Sequence, residues 1–84
     1  MDAEKAIIIF QHLSRGESTD VEVPLKITAN ELVTALNTAF DLGIDVSDVK
    51  NCFFRAENPI ALLRGEKTLE EFGVRNGTRI NFIR

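Results

Sequence analysis

The sequence predicts an α+β fold in which a mixed sheet of four to five strands is covered on one face by one main helix, with a short helical turn before the last strand. Three observations carry this reading. Two β-favouring runs separated by turn residues open the chain. A capped segment with a single apolar stripe follows. The remainder alternates short β-favouring runs with turn chemistry, interrupted by a second and much shorter capped segment. The chain has 84 residues, too few for two independently packed cores, so residues 1–84 are expected to form one domain.

The elements follow in order. Residues 5–12, Lys-Ala-Ile-Ile-Ile-Phe-Gln-His, suit a pleated surface, and Ser14-Arg15-Gly16-Glu17-Ser18 reverses the chain. In Asp20-Val21-Glu22-Val23-Pro24-Leu25 strict alternation puts Val21, Val23 and Leu25 on one face of a second strand. Pro24 cannot donate to a ladder, so it belongs at an edge or bulge. Thr28-Ala29-Asn30-Glu31 has the capping-box spacing, which satisfies two amides left free at a helix start. Leu32, Val33, Leu36, Ala39 and Phe40 then recur at helical spacing, and Gly43 is the expected stop.

Residues 51–56 read as a third strand, Glu57-Asn58-Pro59 as a turn, and Ile60-Ala61-Leu62-Leu63 as a short fourth run. Thr68-Leu69-Glu70-Glu71 repeats the capping box on a segment closed by Gly73, long enough for one helical turn. Asn76-Gly77 favours a tight turn, and residues 78–83 alternate Ile80 and Phe82 against Arg79, Asn81 and Ile83 in a last strand.

Composition narrows the function. The chain is 44% hydrophobic and 27% charged, as in globular proteins and unlike disordered ones. Its net charge of −3 argues against a general affinity for nucleic acid. The charge is uneven: residues 1–49 carry three basic and nine acidic groups, residues 50–84 seven and four, so two faces of opposite sign are expected. No apolar run approaches the roughly 20 residues of a membrane span, so direct membrane insertion is not expected. The acidic start, Met-Asp-Ala-Glu-Lys, lacks the basic region of a signal peptide. Cys52 is the single cysteine, which excludes an internal disulfide and suits a reducing, cytoplasmic location.

The element order strand, strand, helix, strand, short strand, helical turn, strand is that of the ubiquitin-like β-grasp. Val21-Glu22-Val23-Pro24, Glu31-Leu32, Leu62-Leu63 and Leu69-Glu70-Glu71-Phe72-Gly73-Val74-Arg75-Asn76-Gly77 together resemble the YukD/EsaB family of free ubiquitin-like proteins. That resemblance implies a cytosolic accessory role in type VII (WXG100, ESX-like) secretion, beside a membrane-bound ATPase or another secretion component. The sequence departs from the family in a longer charged amino terminus and in lacking Tyr and Trp. A second role in which free β-grasp proteins occur is as a small accessory subunit of a soluble enzyme complex such as an oxygenase.

No catalytic, cofactor-binding or metal-binding residue is assigned, and the chain reads as a non-enzyme. Ubiquitin and sulfur carriers are activated at a flexible Gly-Gly carboxyl end, whereas this sequence ends Phe82-Ile83-Arg84, so conjugation is not expected. His12 reads as a surface residue without partners, and Cys52 as a small core hydrophobe. The carboxylates Asp41, Asp45, Asp48, Glu70 and Glu71 read as a solvated face, and the glycines as turn residues. The candidate site is a protein-binding patch on the sheet face that the helix leaves open: Phe53 and Ile83 with one apolar pair of the first strand, either Ile7 and Ile9 or Ile8 and Phe10, rimmed by Arg55 and Arg79. The same apolar residues suit pairing of two copies of the chain as a homodimer.

Overall fold

A computed structural model describes residues 4–48 and 50–82. Five strands, β1 (Lys5–His12), β2 (Glu17–Pro24), β3 (Phe54–Glu57), β4 (Ala61–Leu63) and β5 (Arg79–Phe82), form one sheet in the order β2-β1-β5-β3-β4. β1 runs antiparallel to β2 and parallel to β5, while β3 runs antiparallel to both β5 and β4. The sheet is mixed, as expected, and β2 and β4 are its edges. Pro24 lies on edge strand β2, where a missing amide donor costs no central ladder bond.

Helix α1 (Ala29–Phe40) crosses one face and buries Ala29, Leu32, Val33 and Leu36. Its start is the expected capping box: the Glu31 amide donates to the Thr28 hydroxyl, and the Thr28 amide to the Glu31 carboxylate. Its end comes earlier than Gly43. Asp41 takes the left-handed conformation (φ 53°) and its amide donates to the Asn37 carbonyl, a conformation that a short acidic side chain tolerates. Within the helix, Ala39 is exposed and Phe40 half-buried, so the buried stripe ends at Leu36. The short helix α2 (Leu69–Phe72) has a second capping box, Thr68 with Glu71, and Gly73 closes it at φ 85°. It is stitched to the loop before α1 by the Leu69 and Glu70 amides, which donate to the Ile27 and Leu25 carbonyls.

The core lies between α1 and the inner sheet face. Ala6, Ile8 and Phe10 point inward from β1, joined by Val23, Phe54, Leu63, Leu69, Ile80 and Phe82. Phe10 lies 5.0 Å from Phe40 and 5.6 Å from Phe54, and Phe54 meets Phe82 edge-on at 6.0 Å, separations at which aromatic pairs attract beyond their buried area. Two expectations need correction. His12 is a buried residue at 6% exposure: it shares the inward face of β1, its ring stands edge-on to Phe82 at 4.9 Å, and Nδ1 lies 3.2 Å from the Ser14 hydroxyl. The third strand begins at Phe54, because Asn51 is tied back to the preceding loop through its amide and side chain, both bonded to Asp48.

Candidate protein-binding face

The β1 register decides which apolar pair faces away from the helix. Ile8 and Phe10 are buried, so Ile7 and Ile9 lie on the open face, Ile7 half exposed at 50% and Ile9 half-buried. The pairing registers lay out two rows across that face. One runs Asp20, Ile9, Arg79, Glu57; the other runs Ser18, Gln11, Asn81, Arg55, Leu62. Arg55 and Arg79 therefore sit on neighbouring strands as diagonal neighbours, about 7–8 Å apart in backbone spacing. Both are exposed, and among the described residues neither side chain makes a hydrogen bond or ion pair.

Of the residues expected on this face, the structure brings Arg55 and Arg79 together. Phe53 is half-buried and precedes β3, so it falls outside these rows. Ile83 lies outside the described residues. Charges of both signs lie along the face: Asp20 and Glu22 belong to β2, with Glu22 3.7 Å from Lys5, while the arginines belong to β3 and β5 and Glu57 sits opposite Arg79.

Beside the arginines lies a shallow groove of about 580 Å³ lined by Arg55, Ala56, Glu57, Ile60, Ala61, Leu62 and Asn81. Ile60 is 92% exposed and Leu62 40%. The turn that presents Ile60 is held from a distance. The buried Thr78 hydroxyl donates to the Asn58 carbonyl at 2.9 Å and accepts from the Arg75 amide at 3.0 Å, and the Arg75 guanidinium donates to Asn58 Oδ1 at 2.9 Å. Asn58 itself is left-handed (φ 61°), which Asn adopts more readily than most residues. Within the groove Asn81 is 9% exposed; its Nδ2 donates to Glu57 Oε2 at 2.6 Å, while its buried Oδ1 has no donor among the described residues.

Ile60 and Leu62 are not part of the patch that the sequence predicts. Period-2 alternation puts both opposite the neighbouring Leu63, which is fully buried. The signal is present, but the apolar run Ile60-Ala61-Leu62-Leu63 does not say which pair turns inward.

Burial, and then the negative charges of Asp45 and Asp48, push the Cys52 thiol up, away from the thiolate that reacts. Lys26 and Glu70 pair at 2.7 Å; that hydrogen bond raises the lysine and lowers the glutamate. Among the described residues no group of three or more His, Cys, Asp or Glu is placed to hold a metal ion, and no helix is long and apolar enough to cross a membrane.

The family model described as WXG100 protein secretion system (Wss), protein YukD, matches residues 8–81. The chain belongs to the YukD family. That span runs from β1 to β5 and takes in both capping boxes and the whole groove. No curated protein sequence matches the chain. Among solved structures, the ubiquitin-like domain of tubulin-binding cofactor B superposes with a TM-score of 0.75 at 20% identity, covering 98% of this chain and 91% of that one. The C-terminal ubiquitin-like domain of mouse tubulin-specific chaperone e gives 0.73 at 11%, covering 99% and 89%. The ubiquitin-like domain of the Mycobacterium tuberculosis type VII secretion system protein ECCD1 gives 0.60 at 14%, covering 96% and 99%. At these identities the likeness shows the ubiquitin-like fold, and it is the YukD family that links the chain to WXG100, or type VII, secretion.

Proposed function

We propose that this YukD-family chain is a non-catalytic interaction module of a type VII secretion apparatus, acting in the cytoplasm as a single ubiquitin-like unit and holding a protein partner on the open face of its sheet. The observation that carries the reading is the pair of arginines, Arg55 and Arg79, without partners among the described residues and set beside the exposed Ile60 and Leu62. Scattered exposed apolar residues are ordinary. Here they adjoin one another in a groove and are rimmed by unpaired charge, the arrangement of an interface centre with a polar rim. Phe53, at the margin of β3, and Ile83 remain in the proposed patch. The partner is a membrane-bound secretion ATPase or another component of the apparatus.

The test is affinity purification of the tagged chain from cytosol and from detergent-solubilised membranes, with partners identified by mass spectrometry, comparing wild type with the Arg55→Ala, Arg79→Ala double variant. Secretion components captured by wild type and lost with the variant support the proposal. Capture of a soluble enzyme complex in their place overturns the pathway, and equal capture by both baits overturns the face. A purely self-associating chain would show itself as a concentration-dependent dimer in sedimentation and would likewise overturn it.

A further inference from the structure

The groove beside β4 has a chemistry of its own. Its lining includes the aliphatic side chains of Ile60, Ala61 and Leu62. Arg55 lines it, Arg79 stands beside Arg55 on the neighbouring strand, and Arg75 is bonded to the Asn58 that leads into it. The single carboxylate in the lining, Glu57, is already engaged by Asn81 Nδ2 at 2.6 Å. Arg55 is the one cation in the lining and Glu57, which keeps its charge, the one carboxylate; further positive charge comes from Arg79 on the neighbouring strand and from Arg75 at the Asn58 turn.

Asn81 supplies an independent indication. Its amide cannot be turned over, because Oδ1 would then face the Glu57 carboxylate, acceptor against acceptor. The orphaned Oδ1 is therefore fixed in the wall of the groove without a donor among the described residues, an arrangement folded proteins rarely leave uncompensated.

We propose that this groove takes an acidic, apolar-anchored peptide segment of the partner: an aliphatic or aromatic side chain packs on Ile60, Ala61 and Leu62, a carboxylate pairs with Arg55, and an amide or hydroxyl donor satisfies Asn81. The proposal rests on the reading of the open face as the binding face and adds the chemistry of what binds there. A basic segment would meet unpaired arginines. A second copy docked through the same patch would bring both sets of these arginines into one interface, since a two-fold contact buries the same patch on each copy, and like charges in an interface are unfavourable. β4 is an edge strand with three residues, so the anchor and the charge, not a long backbone ladder, carry recognition.

The experiment uses fluorescein-labelled synthetic peptides as probes: alternating Glu-Leu, alternating Lys-Leu, and alternating Glu-Ser, together with a short single-stranded oligonucleotide. Anisotropy titrations should show saturable binding of the Glu-Leu peptide, with the other three at least about tenfold weaker, or 1.4 kcal/mol. Arg55→Glu should reverse the preference between the Glu-Leu and Lys-Leu peptides. Ile60→Ser, at a position exposed enough to leave folding intact, should weaken Glu-Leu binding several-fold. Amide resonances of Arg55, Leu62 and Asn81 should shift most during the Glu-Leu titration. Equal binding of acidic and basic peptides, binding indifferent to Arg55→Glu, tighter binding of the oligonucleotide, or shifts centred away from the groove would each overturn the proposal. The two readings fail separately. Secretion partners lost with the Arg55→Ala, Arg79→Ala bait while the peptides show no preference would remove the groove chemistry and leave the binding face standing.

Discussion

Replacing Thr78 with Val tests how the groove is built. Thr78 is fully buried, and its hydroxyl makes two hydrogen bonds, one donated to the Asn58 carbonyl and one accepted from the Arg75 amide. Valine keeps the shape and removes both. At about 1 kcal/mol net for each bond, with the abandoned carbonyl and amide partly reached by water, the loss should be about 2 kcal/mol. For a chain of this size that corresponds to a melting temperature lower by about 8–16 °C. Thr78→Ser retains the hydroxyl and loses one methyl, about 1 kcal/mol with the small void left behind. Thermal unfolding followed by far-ultraviolet circular dichroism suits a chain without Trp or Tyr. Valine should be the more damaging substitution. A Val variant that melts within about 2 °C of wild type, or a Ser variant that melts below the Val variant, would refute hydrogen bonding as what holds the Asn58–Ile60 turn.

Three further outcomes follow from the same structure. Thr28→Ala removes the α1 cap and should cost about 1 kcal/mol in chemical denaturation, with an unchanged denaturant slope. The Glu71 carboxyl is held below its ordinary range by the Thr68 amide and then its hydroxyl, Glu70 by the hydrogen bond to Lys26, and Asp45 by the Ser47 hydroxyl and amide. Folded-state values below the unfolded ones mean stability that is present above about pH 4–4.5 and lost as pH falls through the folded values. A melting temperature that is level above about pH 5 and declines below about pH 4 is therefore expected, and Glu71→Gln, which removes the titrating group, should flatten that decline; an unaltered slope would contradict the Glu71 assignment. Cys52, buried and with its thiol pushed up, should react with a disulfide reagent at least about tenfold more slowly in the folded chain than in denaturant. Equal rates would place it at the surface.

What is legible in the sequence is what local chemistry decides. Both capping boxes, the left-handed Gly73, the alternation of β2 and the placement of Pro24 at an edge all follow from residues a few positions apart. Boundaries differ from the sequence pattern where a side chain outcompetes it. Residues 51–53 suit a strand, but Asn51 bonds twice to Asp48, and pairing of β3 with its neighbours starts only at Phe54 and Arg55. Helix α1 stops at Asp41 because the Asn37 side chain clasps both the amide and the carbonyl of Ile44, turning the chain before Gly43 is reached. Polarity alone suggests a surface position for His12, although its place in β1 shares the parity of Ile8 and Phe10, and parity wins.

The candidate site is legible in part for the same reason. Arg55 and Arg79 follow from strand parity, and parity puts them on the face opposite Phe54 and Ile80. The groove beside them depends on contacts that no local pattern contains: Thr78 reaches back 20 residues to Asn58, Arg75 reaches back 17, and Asn81 finds Glu57 across a strand pair 24 residues apart. These long-range bonds hold the Asn58-Pro59 turn that presents Ile60.

The central claim, that a YukD-family chain serves secretion through the open face of its sheet, is tested most directly by export itself. In a source strain lacking the chain, the amount of WXG100 protein released to the medium is measured after complementation with wild type or with the Arg55→Glu, Ile60→Ser double variant at equal intracellular level. Loss of export that wild type restores and the folded variant does not is the predicted result. Export unaffected by loss of the chain, or restored equally by the variant, would contradict it.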